Sequence, residues 1–563
     1  MNKQTKTVMS FIAIILGFFM ALLDSTIVNI ALPEMSKHYG ASVENISWVV
    51  NGYNLAFAVF IITAARLADQ FGRKKIFLIG VFLFTLASLL CGISPNVETL
   101  IVLRVIQGLA GAIVVPVTVP LAMELFPREK HGLVIGLWGA ISGLAAASGP
   151  ALGGILTDKF NWQSIFFVNV PLGVITLVLT TVLIKESYDG TATKRIDWGG
   201  MASITAAMFC ITYALIKSND FGWGSYKTIS LFATGFIALI LFFVIEVKSK
   251  KPMLPVSLLK IPYFDGAALT LFAVGAGIMN ASFLMSFFLT QIMGKTVLQA
   301  GLTIAVMPLV SMVFSSVAGP LSNKFGSRWF AAAGMSAIIF SIYLFSMLDS
   351  NSSQIDIMWR LAVTGMGLGM TMAPVMSASV RNVPKEKIGM SSGITNMTRA
   401  LGAVLGVAII VTVLNANTTN EIEKTKNNII TMINSDNVFN SQFKQNLLSQ
   451  IKNTTVSRDS KRATLDQIIA NIDLQEKSAL SKATLAKAPA PQINKIRTSF
   501  ESQKSETRKV YPTIETSFKS GITKAFSNTF KISSLILLIG ILFALFSDRA
   551  RRKPEELSLQ MQE

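Results

Sequence analysis

The sequence predicts an all-α polytopic membrane protein, and its composition together with recurring apolar runs carries this prediction. Apolar residues make up 51% of the 563 residues, charged residues only 14%, and the mean hydropathy is +0.54. Such a composition is not that of a water-soluble globular protein. The apolar runs reach the roughly 20 residues that cross a bilayer as a helix. Because a lipid-exposed backbone must satisfy its own hydrogen bonds, we expect helical spans.

Segmentation at that length predicts about fourteen transmembrane helices. They lie near residues 8–31, 46–66, 76–94, 99–125, 132–156, 164–184, 198–216, 228–246, 266–290, 298–321, 329–347, 355–379, 391–415 and 528–547. One side of this topology holds basic runs such as Arg73–Lys75, whereas the short loops on the other side hold only isolated lysines. Positive charge is enriched in cytoplasmic loops, so both termini are expected in the cytoplasm. The net charge of +19 therefore reflects topology, and no nucleic-acid partner is expected.

A long polar segment, residues 416–526, interrupts this pattern, and the topology places it outside the cell. Apolar residues at helical spacing predict helices in this segment, with breaks at Pro489, Pro491 and Pro512. The apolar stripe Ile514–Phe526 is expected to dock on the outer rim of the membrane helices. Two interpretations stay open: a helical spacer without chemistry of its own, or an element that docks a partner or gates the exit.

The sequence carries none of the common signatures of an enzyme or a metal site. Cys91 and Cys210 both fall inside predicted spans, and no metal-ligand cluster, phosphate-binding loop or paired nucleophile and base is visible. We therefore expect no enzyme activity, no bound metal and no cofactor. Uphill movement of a cargo would have to use an ion gradient.

Two carboxylates, Asp24 and Glu124, fall inside predicted spans, whereas nearly all others lie in loops, at helix ends or in the polar segment. Ionisable residues within a membrane are costly and are therefore functional candidates. Asp24 and Arg104 should lie at similar depths, about 8–10 Å below the outer end of their spans, so they could pair. Burial disfavours a charged carboxylate and a guanidinium favours it, so such a pair can exchange a proton. We predict proton coupling by Asp24, Arg104 and Glu124; the alternative is a structural ion pair.

A short charged turn, residues 65–75, joins the second and third predicted spans. It combines a carboxylate at Asp69, a glycine at Gly72 that permits a tight turn, and a basic run that begins at Arg73. The carboxylate can cap a helix N-terminus or bind an arginine of a neighbouring bundle. This pattern resembles the loop 2–3 signature of the major facilitator superfamily. The resemblance implies that Asp69, Gly72 and Arg73 act in gating.

Further stretches resemble the fourteen-span drug/proton antiporters of that superfamily. Leu22–Pro33 is similar to their first-span signature, and Trp162–Gly173 is similar to the beginning of their sixth span. Arg104–Gly111 resembles the fourth-span motif, in which the arginine is assigned a proton-transfer role. Gly149 and Pro150, with neighbouring glycines, resemble the fifth-span antiporter motif, which implies a gating role for both. The alternative for the first-, fourth- and fifth-span motifs is plain helix packing, and for Trp162–Gly173 it is an interfacial aromatic anchor.

A weaker copy of the same signals recurs in the second half. Residues 319–328 form a degenerate loop signature, and Arg360 echoes the fourth-span arginine. Internal duplication is what a transporter built from related halves requires. The resemblance implies the major facilitator fold, with two six-helix bundles, two extra helices, a long helical extracellular loop and a central cavity. The predicted bounds are 1–197 for the first bundle, 198–264 for the two linking helices, 265–547 for the second bundle interrupted by 416–526, and 548–563 for a cytoplasmic tail.

Polar and aromatic side chains of the spans are predicted to line the central cavity and to contact a small-molecule cargo. These residues are Asn29, Trp48, Asn51, Tyr53, Asn54, Gln107, Asn280 and Asn396.

The resemblance implies a proton-coupled antiporter that exports lipophilic, often cationic drugs or antiseptics across a bacterial plasma membrane by alternating access. Its expected partners are the lipophilic small-molecule substrate, protons and the lipid bilayer, and we expect a monomer. Three alternatives stay open: a dedicated exporter of one metabolite, antibiotic or lipid in the same fold, a nutrient symporter, and a non-transporting membrane scaffold that works through its outer loop.

Overall fold

Helices form nearly all of the computed structural model of this protein, and its described residues contain no strand. The described residues are 3–127, 131–188, 197–249, 263–381, 388–435, 444, 448, 465–485 and 488–548. The chain divides into two compact units. Met1–Val413 and Thr529–Glu563 form the first, which we call the membrane unit, and Leu414–Asn528 form the second, which we call the polar unit.

The first half of the membrane unit contains helices α1 to α7. They are α1 (Lys3–Tyr39), α2 (Val43–Phe71), α3 (Arg73–Gly92), α4 (Val97–Glu124), α5 (His131–Lys159), α6 (Ser164–Phe167) and α7 (Asn169–Leu183). Polar side chains fix two of the helix starts. Ser42 accepts a hydrogen bond from the backbone N–H of Asn45 at α2, and Asn96 accepts one from Thr99 at α4.

Two linking helices and the second half follow in chain order. They are α8 (Trp198–Phe221), α9 (Tyr226–Lys248), α10 (Phe264–Phe287) with a π-helical turn (Phe288–Ile292), α11 (Val297–Phe325), α12 (Ser327–Phe345), α13 (Gln354–Arg381), α14 (Ile388–Ser435), α15 (Leu465–Leu485), α16 (Ala490–Leu537) and α17 (Ile539–Leu545). α8 and α9 pack against each other.

The two halves of the membrane unit repeat one pattern of helix packing. In the first half α2 packs on α4, while α1 and α3 each pack on both α4 and α7. In the second half α11 packs on α13, while α10 and α12 each pack on both α13 and α17. This repetition agrees with the internal duplication predicted from the sequence. The all-α fold with related halves is thereby confirmed.

Twelve helices among the described residues are long and apolar enough to cross a membrane. Each of the fourteen segments predicted from hydropathy falls on a helix of the structure. The count of fourteen spans and the placement of the polar unit outside the cell stay predictions.

The polar unit has an apolar core of its own. Ile429, Ile433, Ile472 and Phe518 are buried in one cluster, and Ile514 packs against it. Ile514 and Phe518 of the Ile514–Phe526 stripe therefore contribute to the core of this unit, and docking of the stripe on an outer rim stays a prediction. Helices with one apolar face must bury it, and here the unit does so internally.

The three prolines predicted to break helices behave differently in the polar unit. Pro489 and Pro491 flank the first residue of α16, as predicted, but Pro512 lies inside that helix and does not end it. The predicted break at Pro512 is therefore wrong, because a long helix with a buried face can absorb the loss of one backbone hydrogen bond. Pro512 lines a polar groove of about 590 Å³, together with Lys424 and Lys524.

Candidate functional site

Asp24 of α1 and Arg104 of α4 form an ion pair in the interior of the first half. Arg104 Nη1 lies 2.5 Å from Asp24 Oδ2, and the exposed fractions of the two side chains are 1% and 0%. The predicted pairing is confirmed. A buried charge is costly unless it is paired and fully hydrogen-bonded, so the surrounding side chains decide whether this arrangement is stable.

Two amide side chains complete the hydrogen bonding of the carboxylate. Gln107 lies one turn along α4 from Arg104, donates to Asp24 Oδ1 at 3.0 Å and accepts from Arg104 Nη1 at 2.7 Å. Asn169, the first residue of α7, donates to the same Oδ1 at 3.0 Å. The carboxylate therefore accepts three hydrogen bonds from two other helices while it is closed to solvent.

The guanidinium of Arg104 makes further contacts on its other sides. Its Nε donates to the carbonyl oxygen of Val49 at 3.1 Å, and its Cζ lies 4.2 Å from the ring centre of Tyr53 and 5.8 Å from that of Phe166. An aromatic face attracts a cation, and a carbonyl accepts its hydrogen bond. The charge of Arg104 is thus held by groups from several helices.

Part of this cluster was predicted from the sequence and part was missed. Tyr53 and Gln107 were predicted as cavity residues, and the structure brings both to the ion pair. Asn169 and Ser88, which are hydrogen-bonded to each other at 3.1 Å, were not predicted. Asn169 lies in the Trp162–Gly173 stretch, so a search of that stretch for polar side chains could have found it. Ser88 is one of two hydroxyl residues, with Thr85, in an otherwise apolar stretch of α3 and gives no sequence signal.

Glu124 lies far from this cluster. It is the last residue of α4, about 30 Å along the helix from Arg104, and its carboxylate lies 2.5 Å from Arg73 with 38% of the side chain exposed. Glu124 therefore pairs with the first residue of α3 and does not join the buried cluster around Asp24, and its role in proton coupling stays a prediction. Asp69 is a residue of helix α2, and its side chain is outside the part of the chain that the structure describes.

A carboxylate from beyond the sixth span caps the start of α3. Glu186 accepts hydrogen bonds from the backbone N–H groups of Lys74 at 2.9 Å and Lys75 at 3.0 Å. Negative charge is stabilising at a helix N-terminus, where these N–H groups have no partner within the helix. A capping role was expected for Asp69, and at α3 this role belongs to Glu186, which the sequence analysis missed because the residue lies 112 positions away from Lys74.

Gly72 makes this cap possible. Its φ of +109° joins α2 directly to α3, and a Cβ at this position would lie 2.6 Å from the carboxyl carbon of Glu186. The backbone N–H of Arg73 donates to the carbonyl oxygen of Ser187 at 2.9 Å. The turn is thus fixed to the segment that follows α7.

The second half repeats this cap. Gly326, with φ +88°, joins α11 to α12, and the backbone N–H of Ser327 donates to Asp548 Oδ2 at 2.9 Å. Asp548 follows α17 as Glu186 follows α7. The predicted copy of the loop signature therefore adopts the same local geometry as the original.

The second half does not repeat the buried ion pair. Arg360, the counterpart of Arg104 in the sequence, pairs at 3.0 Å with Asp356 of its own helix, whose side chain is 33% exposed. Arg360 Nη1 donates to the carbonyl oxygen of Leu344 at 2.8 Å. The two halves have thus diverged at this position, and the cross-helix pair belongs to the first half.

The glycine-proline stretch of α5 contacts both halves. A Cβ on Gly149 would overlap Thr26 Oγ1 of α1, and a Cβ on Gly301 of α11 would overlap the carbonyl oxygen of Pro150. Gly154 lies against the backbone of Leu298. Small residues permit such close approach of helices. The gating role of Gly149 and Pro150 stays a prediction.

Trp48 packs beside the linking helix α8. Its ring centre lies 5.7 Å from that of Phe209 and 6.2 Å from that of Tyr213, both on α8. Its assignment to the central cavity stays a prediction.

Buried asparagines with unpaired amide atoms remain cavity candidates. Among the described residues, neither amide atom of Asn51 has a hydrogen-bond partner, and Oδ1 of Asn29 and Oδ1 of Asn280 have none. Buried amides of this kind need a water or a polar group of a cargo. Asn54 is buried and Asn396 half-buried, and both stay predictions.

The family model of the Major Facilitator Superfamily matches residues 14–407. The chain belongs to this superfamily. The chain is 34% identical over 409 residues to "Multidrug resistance protein Stp" of Mycobacterium tuberculosis. This match covers 72% of this chain and 76% of that protein. It is also 31% identical over 402 residues to "Tetracenomycin C resistance and export protein" of Streptomyces glaucescens, covering 71% and 74% respectively.

Solved structures of other transporters share the fold at low sequence identity. A bacterial homolog of the human lysosomal transporter Spinster, in an inward-facing and unoccupied conformation, superimposes with a TM-score of 0.59 at 14% identity. The match covers 97% of this chain and 99% of that one. This superfamily member is thus a multi-pass membrane transport protein and not an enzyme.

Proposed function

We propose that this protein exports lipophilic, often cationic small molecules in exchange for protons across the bacterial plasma membrane, with both termini in the cytoplasm. The observation that carries this proposal is the ion pair of Asp24 and Arg104, which is closed to solvent inside the first half. Asp24 is the proton carrier, and Arg104 is its fixed counter-charge. Such a pair is a means of coupling a proton to a change of conformation.

The burial of the Asp24–Arg104 pair couples proton exchange to a change of conformation. In this conformation both side chains are inaccessible, so exchange of a proton with water requires rearrangement of the surrounding helices. A carrier that alternates between two openings exposes Asp24 to one side of the membrane at a time. If the proton and the cargo each favour a different opening, proton entry drives cargo exit.

The relatives support a small-molecule cargo. Stp of Mycobacterium tuberculosis is named for multidrug resistance, which favours a broad range of lipophilic compounds. Arg104 already engages the Asp24 carboxylate, so we expect neutral or singly charged cargo. A dedicated exporter is the second candidate, because two relatives at 31% identity are named for resistance to one antibiotic each, tetracenomycin C and methylenomycin A.

Proteoliposomes with an imposed pH gradient and a fluorescent cationic dye test the proposal. We expect wild-type protein to move the dye against its gradient and Asp24→Asn to lose this movement while it remains folded, because an amide cannot carry the proton. Asp220→Asn is the matched control, since Asp220 pairs with Lys217 on the exposed end of α8 and should transport as wild type. Uphill transport by Asp24→Asn at the wild-type rate would contradict the assigned proton carrier.

The same assay separates the remaining alternatives. A dedicated exporter would saturate with one compound of a panel and ignore the others, a nutrient symporter would move cargo in the same direction as protons, and a scaffold would move none. Loss of the pH gradient should stop transport by an antiporter without changing the amount of reconstituted protein.

A further inference from the structure

Asn169 occupies a junction between the proton site and a break in the sixth span. It is the first residue of α7, separated from α6 by Val168. One side of its amide donates to Asp24 Oδ1 at 3.0 Å and to Ser88 Oγ at 3.1 Å. The other side, Oδ1, is buried and has no hydrogen-bond partner among the described residues. The amide is therefore satisfied on its donor side only.

The two faces of an amide match the two protonation states of a carboxyl group. A charged carboxylate only accepts hydrogen bonds, so it requires the NH₂ group of Asn169 to face it. A protonated carboxyl group has an O–H to donate, and a half-turn of the Asn169 side chain would present Oδ1 to accept it. The turn would give Oδ1, which now has no partner, the proton of the carboxyl group, and it would move the NH₂ group to the side that Oδ1 now occupies.

A turn of Asn169 would also change the hydrogen bond between Ser88 and the backbone. Its hydroxyl now donates to the carbonyl oxygen of Phe166 at 2.9 Å and accepts from Asn169. Once Asn169 presents an oxygen, the hydroxyl can donate to that oxygen and release the Phe166 carbonyl. Phe166 belongs to α6, two residues before the break at Val168. The change would therefore reach the joint between α6 and α7.

We propose that Asn169 is a positioning residue that reads the protonation of Asp24 and transmits it through Ser88 to the α6–α7 joint. This inference rests on the proposed role of Asp24 as a proton carrier. It adds a conformational step. Proton binding turns the Asn169 side chain by half a turn, Ser88 then no longer donates to the Phe166 carbonyl oxygen, and the α6–α7 joint becomes more mobile.

Other titratable groups also face Asp24, and the experiment must separate them. Arg104 contacts the carboxylate directly. The Tyr53 hydroxyl donates to the carbonyl oxygen of Ala21 at 3.3 Å, and Cys91 Sγ lies 3.8 Å from Gln107 Oε1. None of these contacts involves the carbonyl oxygen of Phe166.

Two measurements on the full-length protein without cargo test the inference. Infrared difference spectra between high and low pH report the C=O stretch of the protonated Asp24 carboxyl, identified by its absence in Asp24→Asn. Hydrogen exchange of residues 165–170, compared at each pH with Asp24→Asn, reports the joint. Asn169→Leu keeps side-chain bulk without an amide. Ser88→Ala removes one hydroxyl, and Ser88→Thr restores it.

We expect wild type to show faster exchange at the joint when Asp24 is protonated. Ser88→Ala should abolish this pH-dependent difference, Ser88→Thr should retain it, and Asn169→Leu should abolish it and shift the carboxyl band to higher frequency. Coupled efflux by Ser88→Ala should fall about tenfold. Ser218→Ala is the matched control, since Ser218 is a buried serine of α8 that donates to Leu215 within its own helix.

The inference is overturned if Asn169→Leu and Ser88→Ala retain the wild-type band and the wild-type pH dependence of exchange, or if Ser218→Ala produces the same losses. Should Asn169→Leu fail to fold, the Ser88 pair decides alone. Absence of proton-driven efflux in wild type would contradict the proposed function instead, because neither spectroscopic measurement uses cargo.

Discussion

Glu186 and Asp548 occupy equivalent positions in the two halves of the membrane unit. Each carboxylate follows the last helix of its half and accepts hydrogen bonds from the N-terminus of the third helix, α3 or α12. Each bond therefore ties the beginning of one span to the end of another span of the same half. A half fixed in this way can rotate as one body, which alternating access requires.

Glu186→Ala should lower the stability of the protein by about 1 kcal/mol, the usual cost of a lost helix cap, and should slow proton-driven efflux because the turn at Gly72 loosens. Thermal unfolding and dye efflux measure the two effects. Asp197→Ala is the matched control, since Asp197 caps α8 through Gly200 at 2.7 Å. It should lose similar stability and keep its transport rate. Equal transport losses in both variants would refute a special role for Glu186.

Arg104→Gln should destabilise the protein by about 3–5 kcal/mol, because it leaves the Asp24 carboxylate buried without a counter-charge. Arg104→Lys should be better tolerated but still lose coupled transport, since an ammonium cannot reach Asp24, Gln107 and the Val49 carbonyl together. Unfolding curves and the pH profile of efflux measure these effects. A wild-type pH profile in an active Arg104→Gln variant would separate the pair from proton coupling.

Gly301→Ala should cost about 1–3 kcal/mol of stability by overpacking, because its new Cβ would meet the Pro150 carbonyl where α5 and α11 cross. If this close contact belongs to the transport cycle, efflux should slow as well. Gly319→Ala in the same helix is the control, since a Cβ there would lie 3.7 Å from Ala373, an ordinary contact. Unchanged efflux and melting temperature in Gly301→Ala would show that the crossing adapts freely.

Replacement of residues 420–520 by a short flexible linker should preserve proton-driven efflux. The apolar core around Ile429 and Phe518 lies within the polar unit, so removal of the unit should not expose a core elsewhere. Helices that are neighbours in sequence are commonly joined by only 2–8 residues in helical bundles. Dye efflux and surface expression measure the outcome. Normal expression with abolished efflux would assign this segment to the transport cycle.

Lys504 should be important for the fold of the polar unit. Hydrogen bonds with Asp473 at 2.7 Å, Glu476 at 2.6 Å and Glu501 at 2.9 Å raise its pKa above the ordinary value of 10.5. Because the pKa is raised on folding, the stabilisation is fully present below pH 10.5 and is lost as the pH rises through the folded value.

At neutral pH, Lys504→Met should therefore cost about 2 kcal/mol, the scale of a charged hydrogen bond, and speed hydrogen exchange in α15. Lys509→Met is the control, because Lys509 is 69% exposed and contacts Glu506 at 3.2 Å. Equal exchange in both variants would mean that the cluster around Lys504 adds little to stability.

Prediction from sequence succeeded for residues whose type is too costly at their position to occur there without a function. A carboxylate in the middle of an apolar span, as at Asp24, costs too much to be incidental. Antiparallel spans of known direction also predict depth, and this placed Arg104 beside it. The same reasoning gave no partner for Glu124, which the structure pairs with Arg73 of α3.

Residues whose roles depend on contacts with other helices gave little or no indication of those roles in the sequence. Glu186 looks like any charged residue after a span, and only the fold brings it to α3. For Trp48, only the fold shows that its ring packs beside Phe209 and Tyr213 of α8. Pro512 was read as a break because local propensity omits the burial that holds α16 together.

The sequence alone determined the membrane class, the helical spans and the duplication of the halves, because hydropathy and loop charge can be read from neighbouring residues. It also determined the partners Asp24 and Arg104, because a buried charge needs a partner and the direction of each span sets its depth. Only the tertiary structure decided that Gln107, Asn169 and Ser88 complete the buried hydrogen-bond network around Asp24 and Arg104 and that Glu186 and Asp548 cap equivalent helices. These contacts join positions up to 221 residues apart, and hydrogen bonds of about 3 Å depend on helix rotation and packing, which no local pattern in the chain encodes.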